Sequence, residues 1–269
     1  MMREVQISRI DLSAQRIEQR RDLVAEESPL HIFLNQTHYV TVLCSPSQLK
    51  ELSIGHLLSE GVLKFMDEIR EVRLERDGKC QIRLRPDIDA EKRISISQPF
   101  TRLILSACGS PDYWPLSKLI DRIDLPKVPL GFTLEARVIL ESVRRLNALG
   151  ATFRKTGGVH IAALYSRDGE LMAFAEDVGR HNAVDKVIGA GVLKKLDFQN
   201  CFLASSGRLT GDIVLKAARM RIPVVASMTA AIDSGVEAAQ RTGITLIGFA
   251  RGKRINVYTY PERVSLSVS

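Results

Sequence analysis

The chain has 269 residues, of which 45% are hydrophobic and 26% charged, with 38 Lys plus Arg against 31 Asp plus Glu for a formal charge of +7. That balance excludes general disorder and supplies apolar mass for a core; at roughly 100–200 residues per domain it predicts one large domain or two modest ones. The basic surplus suits an anionic ligand, although solvated Lys and Arg faces alone would also produce it.

Residues 1–27 carry charges throughout and hold no apolar run of signal-peptide length. No stretch approaches the ~18 uninterrupted apolar residues of a membrane span. A soluble, cytoplasmic protein with no membrane partner is expected. Strands are then predicted at His31–Leu34 and Tyr39–Leu43 around an Asn35-Gln36-Thr37 turn. Leu49, Leu52, Leu57, Leu58 and Val62 predict a helix over Gln48–Lys64. Glu71–Glu75 and Gln81–Leu84 flank Asp77-Gly78, a hairpin signal, and Ile94–Ser97 reads as one more strand. The first part of the chain is thus a small α+β unit.

Asp124–Thr133, with two prolines and a glycine, is the expected linker, giving domains 1–125 and 126–269. Beyond it a helix is predicted over Leu134–Leu149 with Gly150 as its C-cap. A hairpin follows, Val159–Tyr165 and Glu170–Ala175 around Arg167-Asp168-Gly169. Predicted helices at Asn182–Lys195, Thr210–Arg221 and Asp233–Thr242 then alternate with predicted strands at Phe202–Ser205, Pro223–Ala226, Ile244–Gly248 and Ile255–Tyr258. This alternation implies a layered α/β domain with a largely parallel sheet after the opening hairpin.

Three clusters in the second half sit at strand ends and loops: Glu176 to Lys186, with Arg180 and His181; Ser206-Gly207-Arg208; and Phe249-Ala250-Arg251-Gly252-Lys253-Arg254. Open α/β sheets bind ligands at the C-terminal ends of strands, where helix N-termini favour phosphate. The first two clusters are predicted to sit at helix starts. Each alone reads as a capped turn or a solvated hairpin; together they predict a shared anion pocket. No Walker loop or dinucleotide fingerprint accompanies them.

The four cysteines, Cys44, Cys80, Cys108 and Cys201, form no Cys-x-x-Cys pair, so any cysteine chemistry is single-thiol chemistry. Cys44 and Cys201 fall in apolar strands and Cys80 starts one. Cys108, in Ser106-Ala107-Cys108-Gly109-Ser110-Pro111-Asp112, lies among small turn-forming residues and is the one with a reactive setting.

These residues carry a resemblance. Thr156-Gly157-Gly158-Val159-His160, the run Glu176-Asp177-Val178-Gly179-Arg180-His181-Asn182-Ala183-Val184-Asp185-Lys186, Ser206-Gly207-Arg208, Gly248 to Gly252, Asn256-Val257-Tyr258 and the Cys108 loop together resemble the FdhD/NarQ family of formate dehydrogenase accessory proteins. The resemblance implies a cytidine-deaminase-like C-terminal domain with a smaller α+β N-terminal domain. Zinc deaminases need His-x-Glu and Pro-Cys-x-x-Cys; here His160-Ile161-Ala162 lacks the Glu and no Cys-x-x-Cys follows, so no zinc-activated water is expected.

The resemblance further implies a sulfur carrier and a homodimer. A cysteine desulfurase would hand sulfur to Cys108 as a persulfide, by the chemistry of thiol–disulfide exchange. The carrier would deliver it to the molybdenum of a bis(molybdopterin guanine dinucleotide) cofactor destined for formate dehydrogenase, bound transiently as substrate, with Phe249–Arg254 as the cofactor contact and Asp185 or Glu176 accepting hydrogen bonds from its guanine edge. Many members carry a second cysteine where this chain has Pro111, so that either Cys108 accepts and donates alone or this member acts mainly by binding cofactor. Two other readings compete. One is a zinc-independent nucleotide-binding hydrolase related to the deaminases, using Glu176, Asp177 or His181 as acid–base groups. The other, a nucleic-acid-binding module, is disfavoured by 6% aromatic content and the lack of a recognisable motif.

Overall fold

A computed structural model of the chain describes residues 1–94, 127–128 and 131–266. The Cys108 loop, half of the linker and the expected 125/126 boundary lie outside the described residues. Among them, no helix is long and apolar enough to cross a membrane.

The chain opens with an antiparallel hairpin, β1 (Met2–Asp11) and β2 (Arg16–Ala25), which the sequence reading left unassigned. A four-stranded sheet follows in the order β4-β3-β6-β5, built from β3 (Ser28–Leu34), β4 (Thr37–Cys44), β5 (Ile69–Leu74) and β6 (Lys79–Leu84). Its turns are where the sequence placed them. Asn35 and Gln36 have φ of 45° and 75°, and Asp77 and Gly78 have 66° and 71°, the left-handed geometry that tight hairpins require. Helix α1 (Leu49–Ser59) packs Leu52 and Leu57 against Leu30, Ile32 and Ile82 of this sheet. It ends five residues before the predicted Lys64, because the chain turns through Gly61 at φ 75°. Ile94 is helical rather than the start of a strand.

The second half is a layered α/β structure. Its six strands are β8 (His160–Ser166), β9 (Leu171–Asp177), β10 (Cys201–Ser205), β11 (Val224–Ser227), β12 (Thr245–Arg251) and β13 (Arg254–Val257), in the order β13-β12-β11-β10-β8-β9. A short parallel pair, β7 (Leu134–Glu135) with β14 (Val264–Ser265), lies outside this sheet. Strands β10, β11 and β12 are parallel; β8 runs antiparallel to β10, and β13 to β12. After the opening β8–β9 hairpin the parallel expectation therefore holds for β10, β11 and β12, and the edge strand β13 departs from it. Strand period two sorts the core into opposite faces. Ile161, Ala163, Phe202 and Ala204 meet α2 (Ala136–Leu149) on one face. Ala162, Leu164, Leu203 and Val225 meet α4 (Arg180–Leu193), α5 (Gly211–Arg219) and α6 (Asp233–Thr242) on the other.

Gly150 is the C-cap of α2 as expected, but in extended rather than left-handed conformation: its φ is −86° and a new helix, α3 (Ala151–Thr156), starts immediately after it. A side chain there would place its Cβ 2.4 Å from Glu176 Oε1. The glycine admits the carboxylate, which accepts hydrogen bonds from Phe153 N–H (2.7 Å) and Thr152 N–H (3.3 Å) at the start of α3.

The two units are joined through α1 and α4, which approach closely because glycines face backbone on both helices. A Cβ on Gly55 or on Gly189 would fall 1.8 Å from Asp185 O or 1.9 Å from Glu51 O, respectively. Buried charge crosses the same seam. Lys216 Nζ lies 2.8 and 2.9 Å from the Asp185 oxygens and 2.6 Å from Glu60 Oε1, while Ser59 and His56 also bond Asp185. Lys186 Nζ lies 2.6 Å from Asp177 Oδ2 and donates to Ser45 O at 2.9 Å.

Candidate functional site

Because β10, β11 and β12 are parallel, their C-terminal ends open on one edge of the sheet. The start of β8 and the end of β9 join them there: His160 pairs with Asp177, and Ala162 with Ser205. All three predicted clusters reach this edge. Neighbouring strands lie ~4.8 Å apart, so the loops after β10 and β12 are separated by about 10 Å. That is the scale of a nucleotide diphosphate, and the edge matches the general ligand position in open α/β sheets.

At the β10 end, Arg180 packs directly on Gly207, where an added Cβ would stand 2.9 Å from the Arg180 Cβ. Ser206 Oγ accepts from Ile161 N–H at 2.9 Å and lies 3.4 Å from His160 Nδ1. His181, in the first turn of α4, pairs with Asp212, in the first turn of α5, and Thr210 donates to the same carboxylate. Burial opposes the Asp212 charge, but the hydrogen bonds from His181 and Thr210 outweigh it and hold the carboxyl below the usual range. The potential here is positive. Burial, then the charges of Arg180 and His181 and a smaller effect of Arg208, push His160 below the ordinary histidine value, against the pull of Asp177. Among the described residues, no hydrogen-bond partner reaches the buried Arg180 Nε, a donor left over for an acceptor.

The β12–β13 loop supplies the second positive group. Phe249 (φ 50°) and Gly252 (φ 62°) bend it sharply, and the Arg251 guanidinium lies over the Phe249 ring at 5.0 Å. Arg251, Gly252, Lys253 and Arg254 line an open depression of about 480 Å³. Ala250 is buried in the core and presents no side chain to it. The β11 end ties the two groups together, as Ser227 Oγ donates to Gly207 O (2.7 Å) and Phe249 N–H to Thr229 O (2.9 Å).

Several expectations are corrected here. Ser206-Gly207-Arg208 does not start a helix; α5 begins at Gly211, and the Ser206 and Gly207 amides are already spent on Ile161 O and Ser205 Oγ. Only the exposed Arg208 side chain is free to reach outward from that segment. Glu176 and Asp185 cannot form a guanine wall: they are 7% and 1% exposed and consumed by the α3 cap and by Lys216. The same burial removes Glu176 and Asp177 as acid–base groups of a hydrolase. His160, Asp212, Ser227 and Thr229 join the edge, though sequence reasoning did not select them; His160, Ser227 and Thr229 stand in a strand end or the loop after it, and Asp212 in the first turn of α5.

Of the cysteines, Cys44, Cys80 and Cys201 are buried. Burial pushes the Cys44 and Cys201 thiols up to about 11 and also raises Cys80, so all three are poor nucleophiles at neutral pH.

Comparison with known proteins agrees with this organisation. A family model described as FdhD/NarQ family matches residues 25–265. A sulfur carrier protein FdhD from Bacillus licheniformis is 34% identical over 251 residues, covering 93% of this chain and 92% of its own. The sulfur carrier protein FdhD of Methanothermobacter thermautotrophicus is 33% identical over 266 residues, covering 98% and 99%. A crystal structure of a protein from Desulfotalea psychrophila, assigned as a formate dehydrogenase accessory protein, superposes with a TM-score of 0.78 at 28% identity, covering 98% of this chain and 99% of that one. The chain belongs to the FdhD/NarQ family.

Proposed function

We propose that this protein is a sulfur carrier serving formate dehydrogenase, as the names of its relatives suggest. A cysteine desulfurase transfers its persulfide sulfur to Cys108, and the carrier passes it to the metal of a bis(molybdopterin guanine dinucleotide) cofactor, its transient substrate, in the cytoplasm. The loading step is balanced as an exchange: the Cys108 thiolate attacks the outer sulfur of the donor persulfide, and the donor cysteine leaves as thiolate. Cys44, Cys80 and Cys201 are spectators, consistent with their burial and raised pKa.

The observation that carries the cofactor assignment is the convergence of two positive groups on one sheet edge, about two strand spacings apart. Arg251, Lys253 and Arg254 suit one set of phosphates, and Arg180 with Arg208 another. Arginine offers planar, bidentate donors to phosphate, lysine a compact charge. Incubation with a desulfurase and cysteine, followed by intact and peptide mass measurement, tests the carrier role. One added sulfur on the Cys108 peptide is expected; an adduct on another cysteine, or none, would refute it.

A further inference from the structure

A single amide ties the two units together at the start of α4. Asn182 Nδ2 donates to Leu43 O, near the end of β4, at 2.8 Å, and to Asp177 Oδ1, at the end of β9, at 3.0 Å. Both partners are acceptors, so only the NH2 end of the side chain can face them, and its two hydrogens are spent there. Helical side chains tilt toward the N-terminus, which lets residue 182 reach strand ends that precede its own helix.

Asp177 is itself fixed from both units. It is fully buried. Its Oδ1 also accepts from Gly179 N–H at 2.9 Å, while Oδ2 accepts from Ser45 N–H at 3.0 Å and lies 2.6 Å from Lys186 Nζ. Val178 N–H donates to Ser45 Oγ at 3.1 Å beside it. Gly179 leaves the amide its space: a Cβ there would stand 2.9 Å from Asn182 Nδ2.

This strap bears on Arg180. Successive residues turn about 100° round a helix, so Arg180 leaves α4 about 200° from Asn182, across the axis. There its stem lies against Gly207, where an added Cβ would stand 2.9 Å from the Arg180 Cβ. The first turn of α4 is therefore pinned on two flanks, by the amide on one and by the β10 loop on the other. A roll of the helix that carried the Arg180 head off the sheet edge would have to break the bond to Leu43 or to Asp177. We propose that Asn182 is a positioning residue for the anion edge: by bridging the ends of β4 and β9 it holds the Arg180 guanidinium in place for a phosphate, and it makes the N-terminal unit part of that site. Given the phosphate assigned to Arg180 above, on which this role rests, Asn182 acts through the arginine and not on the ligand, since both its donors are spent.

Calorimetry with GDP on the full chain tests this as a double-mutant cycle. Arg180→Ala should weaken GDP binding about tenfold or more, the loss of one charge-assisted contact. Asn182→Ala should weaken it about fivefold, less than Arg180→Ala because the arginine remains but is no longer held. In the Arg180→Ala background the same Asn182→Ala change should cost less than about twofold. Gly179→Ala displaces the amide without removing it and suits the local φ of −100°. It should reproduce the Asn182→Ala loss, and that loss should likewise vanish once Arg180 is gone. Independent, multiplicative losses would show that Asn182 supports only the fold, and unchanged affinity in Asn182→Ala and Gly179→Ala would show that Arg180 needs no strap; either result overturns the proposal. A wild type that fails to bind GDP would remove the phosphate assignment itself, and this role with it.

Discussion

A Cβ on Gly55 would lie 1.8 Å from the carbonyl oxygen of Asp185, so the α1–α4 seam exists in this form because residue 55 has no side chain. The contact is backbone on backbone, which no rotamer change can relieve. Gly55→Ala should therefore lower stability by about 2–3 kcal/mol, the cost of overpacking, despite alanine's better helix propensity. Urea unfolding checks this; an unchanged midpoint would show that the helices slide apart at no cost.

The Lys216–Asp185–Glu60 group beside that seam makes a pH-dependent prediction. Burial opposes the charges of both carboxyls, but Lys216 outweighs it and holds them below their usual range. Groups with depressed folded pKa values stabilise above their unfolded values, near pH 4, and lose that contribution as the pH falls through the folded ones. Lys216→Met removes the compensating charge and should cost about 3–5 kcal/mol at pH 7. In the variant burial acts without its main counterweight and raises the carboxyl values. Its deficit relative to the wild type should narrow between pH 7 and pH 5, measured by denaturation at each pH.

Much of this architecture is legible in the sequence. Asn35-Gln36 and Asp77-Gly78 announce their hairpins because few residues tolerate positive φ. The apolar periods of the second half locate its strands and four of its helices to within a few residues. The β1–β2 arm escaped because its apolar residues, Val5, Ile7, Ile10 and Ile17, are scattered among charges and bury no common face. The run Glu176–Lys186 misled for a related reason. Dense polarity reads as an exposed site, but the partners that draw Glu176, Asp177, Asp185 and Lys186 inside are distant in sequence: Thr152, Ser45, His56 and Lys216.

The Glu176 cap predicts a local effect. Glu176→Ala leaves the first amides of α3 without their acceptor and should destabilise by about 1–3 kcal/mol. Hydrogen exchange should accelerate at Thr152 and Phe153 more than in the central strands. Uniform acceleration would indicate that the carboxylate serves the whole fold rather than this helix.

The β12–β13 loop is expected to bind phosphate. Charge-assisted hydrogen bonds contribute roughly 1.5–3 kcal/mol each, so loss of one arginine should weaken binding by about tenfold to a hundredfold. Calorimetry with GDP on the wild type and on the Arg251→Ala, Arg254→Ala double variant compares them directly. Equal affinities would move the ligand away from this loop.

The central claim is that sulfur travels to the dehydrogenase cofactor on Cys108. The most direct measurement loads the carrier with radiolabelled sulfur from a desulfurase, removes the donor, and adds cofactor-loaded but inactive formate dehydrogenase. The account predicts that label leaves Cys108, appears with the cofactor and restores formate oxidation in parallel, and that Cys108→Ala does neither. Activation by the Cys108→Ala protein, or activation while the label stays on the carrier, would contradict it.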